Sequence, residues 1–455
     1  MKRNAINFES EKVSVLFRRL LIPTLLGTLS MAAMTAIDGI FIGHGVGANG
    51  VAAVNIAVPI YQIMSGIGLM IGVGCSVVAS IHIAKKNERV ARFNVTQAIS
   101  ITSLFTILFC ALILILPTAT DKILGASDTL LPQVLDYMRW ITPSFIFQMF
   151  SLIGLFIIRL DGSPQYAMWC NIIPSISNLI LDWLFIFPLG MGVKGAAIAT
   201  AISIIVGGIM AMMYLLFCAK SLYLVPLKIS RKSIKLAFRN IGYQCKVGSS
   251  TLLGELTIAV LIFIGNIVFM KYLGDDGVGA FGIACYYTPF FFMIGNAIAQ
   301  SAQPIISYNY GADRWGEIRE ARRLLLTTSL VIGAVVASLF FFIPDRLVAL
   351  FVDPNSNAGE IAIQGFPYYA VGVIFFILNV AIIGYYQSVE KIKKSTILVF
   401  LRGFFFLIPT FILLPKMLEV KGIWLSMPVA EMMTFIVIVL LFVLTRFNKK
   451  LSRGL

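Results

Sequence analysis

Long apolar stretches separated by short polar ones dominate the chain, and they predict membrane-spanning helices. Each is about as long as the 17–25 residues that cross the hydrocarbon core of a bilayer, or longer. They contain Gly and Pro and lack the strict alternation of a membrane barrel strand, so helices are expected rather than strands. Six of these stretches carry no Asp, Glu, Lys or Arg: residues 20–37, 39–84, 93–120, 195–219, 277–312 and 361–389.

The pattern predicts an all-α integral membrane protein with twelve transmembrane helices. An even number of spans places both termini on the same side of the membrane. The first apolar stretch is too long for a signal peptide and has no small-residue cleavage site, so we expect it to remain as the first span. The predicted spans are 15–43, 51–82, 94–116, 133–158, 165–188, 195–219, 242–270, 279–307, 321–343, 361–386, 396–414 and 424–445.

Charge supports the membrane class and predicts an orientation. Only 13% of the residues are charged, whereas about 25% is usual in a soluble domain. With both termini in the cytoplasm, 29 of the 36 Lys and Arg residues fall on the cytoplasmic side. That bias is the positive-inside rule, and it explains the net charge of +15 without a nucleic-acid partner. We expect a multi-pass protein of a bacterial or archaeal plasma membrane, with the lipid bilayer as its surroundings.

An internal repeat divides the chain into two equivalent halves. Short matches arise by chance in chains rich in Leu, Ala and Gly, but one shared shift over most of a half is a much stronger signal. A shift of 227 residues places Thr24–Ser30 on Thr251–Thr257, Gly50–Ala53 on Gly277–Ala280, and Val193–Gly195 on Val420–Gly422.

Each half contains six predicted spans, so both halves have the same orientation and form parallel repeats. We therefore predict two six-helix lobes around a central cleft, an arrangement suited to transport by alternating access. The predicted N-terminal lobe covers residues 1–222 and the C-terminal lobe covers 240–455. Residues 223–239 are predicted to be a basic cytoplasmic linker that includes an amphipathic surface helix.

Placing an ionisable side chain within a membrane span costs free energy, so such residues are functional candidates by default. Asp38 in the first span and Asp182 in the fifth fall at a similar depth, in the outer third of the membrane. Asn178 is one helical turn before Asp182, and Thr200 reaches the same depth in the sixth span. Only Lys194, near the surface, adds a positive charge in this part of the half. The four polar residues predict a pocket that takes up a proton or binds Na⁺, with a hydrogen-bonded polar cluster as the alternative.

The C-terminal half has no copy of this pocket, because Gly265 and Pro409 stand where the repeat would place the two aspartates. Pro23, before Asp38 in the first span, removes a backbone hydrogen bond and permits a kink. The kink is either static or a conformational element that responds to the charge of Asp38.

Other candidates lie in the C-terminal half. Glu255 and Glu431 could face the cleft and attract a cationic substrate, or pair locally, with Arg402 as a partner for Glu431. Aromatic and Met side chains bind apolar cations through dispersion and cation–π contacts, although packing roles are the alternative. The substrate-cleft candidates of this kind are Tyr286, Phe290 and Met293.

Several motifs together resemble the multidrug and toxic compound extrusion (MATE) transporters of the DinF-like branch. The resemblance covers nearly the whole chain. It implies a V-shaped fold of two six-helix lobes, and a cation site at Asp38, Asn178, Asp182 and Thr200. Another branch has coupling carboxylates in the C-terminal lobe, which leaves a role for Glu255 open. The motifs are Pro23 with Ile37–Gly43, Asn178–Asp182, Gly195–Thr200, and Arg159–Pro164 after the fourth span.

The resemblance implies a cation-coupled antiporter that exports drug-like, often cationic and amphipathic compounds in exchange for H⁺ or Na⁺. No cofactor beyond the coupling ion and no catalytic residue is expected, because the sequence offers no nucleophile–base pair and no metal cluster. We expect a monomer. The alternative function is a flippase for lipid-linked oligosaccharides or other lipids, which would need basic residues in its cleft. The acidic residues in the spans argue against it.

Overall fold

The computed structural model describes residues 6–46, 48–118, 130–227 and 230–451, which contain helices and turns but no strand. Eleven helical segments of the described residues are long and apolar enough to span a membrane, and the last of them is divided at Glu419, which gives twelve helices and confirms the predicted fold class. They are α1 (Val13–Gly45), α2 (Ala48–Ala84), α3 (Glu88–Ile115), α4 (Leu131–Leu160), α5 (Pro164–Ile186), α6 (Gly192–Cys218), α7 (Arg231–Gly274), α8 (Asp276–Gly311), α9 (Trp315–Phe342), α10 (Asn357–Ser388), α11 (392–418) and α12 (420–451).

Two of the helix pairs are joined by very tight connections. Gly274, with φ of 65°, separates α7 from α8, and Glu419, with φ of 50°, separates α11 from α12. A left-handed residue reverses the chain without a loop, and it suits glycine better than a residue with a side chain. A short helix, Pro344–Ala349, lies between α9 and α10.

The structure corrects the start of the seventh span. Helix α7 begins at Arg231 rather than at residue 242, and Ser230 caps it by accepting a hydrogen bond from the backbone of Ser233. Of the described residues in the predicted linker 223–239, residues 223–227 and Ser230 are irregular and residues 231–239 are helical. Its predicted surface helix is instead the first turns of α7. Hydropathy did not mark these turns because they are basic.

Contacts divide the chain into two compact units. Unit 1 consists of residues 1–252 with 300–321 and 388–390, and unit 2 contains the rest. Unit 1 takes in the start of α7 and the end of α8 because these segments pack against helices of the first half. The predicted lobes, 1–222 and 240–455, follow the sequence repeat instead, and they stay a prediction.

Each unit has its own core. In unit 1, buried residues of α3, α4 and α6 form a cluster that includes Val95, Ile153 and Tyr214. In unit 2, aromatic rings fill the interior: the Phe269 ring stacks on Phe281 with centroids 4.5 Å apart and meets Trp424 edge-on at 4.9 Å.

Helices α2 and α7 cross with their backbones in direct contact. A Cβ atom on Gly74 would lie 2.0 Å from the carbonyl oxygen of Gln244, and one on Gly248 would lie 1.8 Å from that of Met70. Neither distance leaves room for a side chain, so glycine is required on both helices at this crossing.

Candidate cation site in unit 1

The four predicted pocket residues come together in unit 1, on helices α1, α5 and α6. The carboxyl groups of Asp38 and Asp182 lie within hydrogen-bonding reach of each other, and Asn178 lies within reach of Asp182. The Asn178 amide also donates to the Thr200 hydroxyl over 3.4 Å. Asp182 and Asn178 are fully buried and Thr200 nearly so, whereas Asp38 is half-buried.

Close packing of α1 against α5 brings these side chains together. A Cβ atom on Gly45 would lie 2.1 Å from a methyl group of Ile186, so glycine allows the two helices to approach at this end. One turn beyond the pocket on each helix, Ile42, Ile186 and Ala196 form a buried apolar cluster. This cluster separates the polar groups from the nearer ends of the three helices.

The pocket has oxygen atoms without hydrogen-bond donors. Both carboxylate oxygens of Asp182, one of Asp38 and the amide oxygen of Asn178 are buried and unpartnered. Two ionised carboxylates cannot donate to each other, and burial makes an uncompensated charge costly. No ion pair to either aspartate is found within the described part of the chain. A proton shared by the pair, or a small cation held by the free oxygens, would compensate this charge.

The donor set fits a monovalent cation. Carboxylate, amide and hydroxyl oxygens are hard ligands of the kind that hard cations take. The described residues contain no group of three acidic, His or Cys residues suited to a metal ion. Asp38, Asp182, Asn178 and Thr200 are the groups that would hold a proton or a Na⁺ ion in this pocket.

Sequence reasoning missed one residue at this site. The buried Tyr137 of α4 lies close enough to both aspartates for their charges to act on it. Its phenol brings a hydroxyl that could donate a hydrogen bond into an otherwise acceptor-rich pocket. A polar aromatic residue inside a predicted span was the available signal, but its position around the helix could not be read from the sequence.

Glu431 is not a free charge for a substrate, which corrects its place among the cleft candidates. It is buried on α12, and its carboxylate accepts a hydrogen bond of 2.5 Å from Arg402 on α11. Asn379 of α10 donates to the same carboxylate at 2.7 Å. The Arg402 guanidinium also lies 3.9 Å from the centroid of the Phe376 ring. The local pair was the alternative considered for Glu431, and it is what the structure shows.

Glu255 differs from Glu431 in its surroundings. It lies half-buried on α7 and forms no hydrogen bond or ion pair with another described residue. The aromatic and Met candidates lie on one face of α8: Tyr286 is exposed and stacks on Phe351 at 5.1 Å, and Phe290 and Met293 are half-buried. Pro23 is buried, and α1 continues through it as one helix from Val13 to Gly45.

The fold and this pocket define the class: a multi-pass, all-helical membrane protein with an acidic pocket on one side of an internal repeat. The MatE family model matches residues 23–184 and 251–412, two segments of equal length that correspond to the two halves. The chain therefore belongs to the MatE family of multidrug and toxic compound extrusion transporters. Its assignment to the DinF-like branch stays a prediction.

Relatives and solved structures agree with this assignment over nearly the full length. Multidrug export protein MepA of Staphylococcus aureus (strain NCTC 8325 / PS 47) is 24% identical over 448 residues, with 96% of this chain and 95% of that protein covered. MepA of Staphylococcus saprophyticus is 24% identical over 438 residues, with 93% and 92% covered.

Among solved structures, an outward-facing MATE transporter of the MOP superfamily superposes with a TM-score of 0.85 at 21% identity, covering 94% of each chain. A MATE structure in the bent conformation has a TM-score of 0.84 at 20% identity, covering 98% of each chain. At this level of identity the superpositions establish the shared fold.

Proposed function

We propose that this transporter is an antiporter that exports drug-like, often cationic organic compounds in exchange for an inward-moving H⁺ or Na⁺. The observation that carries the proposal is the pair of facing carboxylates, Asp38 and Asp182, three of whose four oxygens are buried without a hydrogen-bond donor, and neither of which pairs with a described basic residue. A site that needs a cation to balance its charge is suited to coupling, because cation uptake changes which conformation has the lower free energy.

The cation acts through α1 in this mechanism. Entry of H⁺ or Na⁺ removes the repulsion between Asp38 and Asp182, so α1 can repack against α5 around them. Pro23 lacks the backbone N–H that would stiffen this part of α1, and it offers a point at which the helix bends. One elementary charge that crosses 100 mV supplies about 2.3 kcal/mol, enough to support a substrate gradient of about fiftyfold.

The substrate class follows from the relatives and from one charge in unit 2. The MepA proteins are named as multidrug exporters, and Glu255 presents a carboxylate with no partner among the described residues. An amphipathic cation would pair with such a group and contact the aromatic and Met residues of α8. We place both termini in the cytoplasm, because that orientation puts most of the Lys and Arg residues inside.

Dye export from proteoliposomes tests the proposal. Purified protein is reconstituted, a pH gradient and a Na⁺ gradient are imposed in separate experiments, and ethidium movement is followed by fluorescence. We expect one of the two gradients to drive transport in the wild type, and expect Asp38→Asn and Asp182→Asn to reduce it to the rate of empty liposomes. The matched control is Asp136→Asn, an exposed carboxylate of α4 in the same half, which should transport normally. Undiminished gradient-driven export by both pocket variants would remove the coupling role.

A further inference from the structure

Arg159 is a buried positive charge with no carboxylate partner among the described residues. It lies in the last turn of α4 and is 3% exposed. Its Nη1 donates to the side-chain oxygen of Gln300 on α8 over 2.7 Å, while its Nε has no hydrogen-bond partner. No described carboxylate forms an ion pair with it. A buried cation of this kind is costly, because an amide dipole replaces only part of the lost hydration.

The nearest carboxylate in the sequence is held elsewhere. Asp161 accepts hydrogen bonds from the Tyr214 hydroxyl and from the backbone N–H groups of Lys220, Ser221 and Leu222. It therefore fixes the end of α6 and does not neutralise Arg159. The carbonyl groups at the end of α4 offset part of the charge, but they do so whether or not α8 is in contact.

Arg159 belongs to a set of contacts between the two halves of the sequence, all within unit 1. Gln303 donates to Ser76 over 3.0 Å, and Ser80 donates to the carbonyl oxygen of Pro304 over 3.4 Å. With Arg159–Gln300, these three hydrogen bonds attach the end of α8 to α2 and α4, and we call them the polar latch. The latch lies on the side that carries most of the Lys and Arg residues.

Two opposing effects act in the latch. Each hydrogen bond contributes only about 0.5–1.5 kcal/mol net in a folded protein, so the latch is weak enough to open and close repeatedly. Burial of the Arg159 charge opposes closure, since the guanidinium regains water when α8 moves away. An alternating-access cycle requires this side to open, and a latch made only of neutral hydrogen bonds would have no such opposing force.

We propose that Arg159 is a positioning residue of the transport cycle: its uncompensated charge keeps the latch from closing too tightly, and so sets the balance between the closed and open states on this side. This inference rests on the proposed function, since it concerns a transporter that must alternate. Arg159 contacts neither the coupling cation nor the substrate in this role. It acts through Gln300.

A disulfide between two latch positions measures closure directly. Ser76→Cys and Gln303→Cys are introduced after replacement of the six native cysteines, and the rate of cross-linking is followed in liposomes under partial oxidation. The matched control pair is Ser65→Cys with Gln148→Cys, because Gln148 donates to Ser65 over 2.7 Å entirely within the first half. The control pair uses the same residue types, with its Ser on α2 and its Gln on α4, and its rate reports whether a variant is correctly folded.

Four substitutions at Arg159 and Gln300 are compared, and the expected change in the latch cross-linking rate differs in sign among them. Arg159→Gln removes the charge and Gln300→Glu neutralises it, so each should raise the latch cross-linking rate about fivefold, equivalent to about 1 kcal/mol. Gln300→Ala keeps the charge and removes the hydrogen bond, so it should lower that rate. Arg159→Lys retains the charge and should stay near the wild type. The control pair should cross-link equally in all four.

The result that overturns the proposal is an unchanged or slower latch rate in both Arg159→Gln and Gln300→Glu with an unchanged control rate. Arg159 would then hold the latch together instead of opposing it. The cross-linking experiment uses no substrate and no ion gradient, so it stands even if the protein exports no dye. Failure of dye export with the expected cross-linking pattern would count against the proposed function alone.

Discussion

Helices α5 and α6 of the first half correspond to α11 and α12 of the second, yet the two pairs treat buried charge in opposite ways. Between α5 and α6, Asp182 and Asn178 leave oxygens without donors, and Asp38 of α1 adds a second carboxylate. Between α11 and α12, Glu431 meets Arg402 directly. The first site needs something from solution to balance its charge, whereas the second balances itself.

The comparison shows how two related halves can contain one buried site that would respond to cation binding and another that would not. A buried ion pair with additional hydrogen bonds has little to gain from a further cation. In the second half, Asn379 donates an additional hydrogen bond to the Glu431 carboxylate. Arg402 lies in a widened helical turn, Leu401–Phe405, that has π-type hydrogen bonding. Asp38 and Asp182 have no such cationic partner among the described residues, and we propose that coupling is confined to the first half for this reason.

The largest expected effect comes from breaking the ion pair on one side only. Arg402→Leu leaves the buried Glu431 without its partner, which should cost about 3–5 kcal/mol of stability. The double variant Arg402→Leu/Glu431→Leu removes both charges and should recover most of that loss. The measurement is the apparent unfolding midpoint in detergent by intrinsic fluorescence. Equal destabilisation of the single and double variants would contradict a self-balanced site.

A smaller effect is expected when the coupling cation binds to the first half. A cation at about a hundredfold its dissociation constant stabilises the folded protein by about 2.7 kcal/mol, so the unfolding midpoint should rise with Na⁺ or with acidification. The double variant Asp38→Asn/Asp182→Asn should lose this dependence. Arg402→Leu/Glu431→Leu is the matched control and should keep it. A dependence retained without the two aspartates would place the cation elsewhere.

The smallest effect concerns the neutral partners. Thr200→Val preserves shape and removes the hydroxyl that accepts from Asn178, so cation affinity should fall by a few-fold, equivalent to about 0.5–1.5 kcal/mol. Thr434→Val in α12 is the control, since the hydroxyl of that buried threonine bonds only to Ala430 of its own helix. The midpoint titration against Na⁺ or pH should shift for the first variant and not for the second.

The sequence allowed the helices and the pocket to be predicted because both depend on distance along one helix. Hydropathy located the spans, and counting residues from the span ends placed Asp38, Asp182 and Thr200 at one depth. Position around a helix axis is not available in that way, which is why Tyr137 was missed and why Glu431 was left with two alternatives.

Contacts between remote segments were harder still. Arg159 and Gln300 are far apart in sequence and in different halves, and neither residue type signals the other. The start of α7 was placed too late because its first turns carry Arg231, Lys232 and Lys235. Hydropathy detects the apolar part of a helix that is compatible with lipid. It does not detect polar helical turns that extend beyond that part.

The crossing of α2 and α7 limits what the chain can tolerate far from any site. Helix α7 has 44 residues, which at 1.5 Å per residue is a rod of about 66 Å. A methyl group on Gly74 or Gly248 would push the two helices apart at a point between a quarter and a half of the way along that rod, and a tilt of a few degrees there becomes a displacement of several ångströms at its far end. The absence of a side chain at these two glycines therefore determines the direction of the α7 axis.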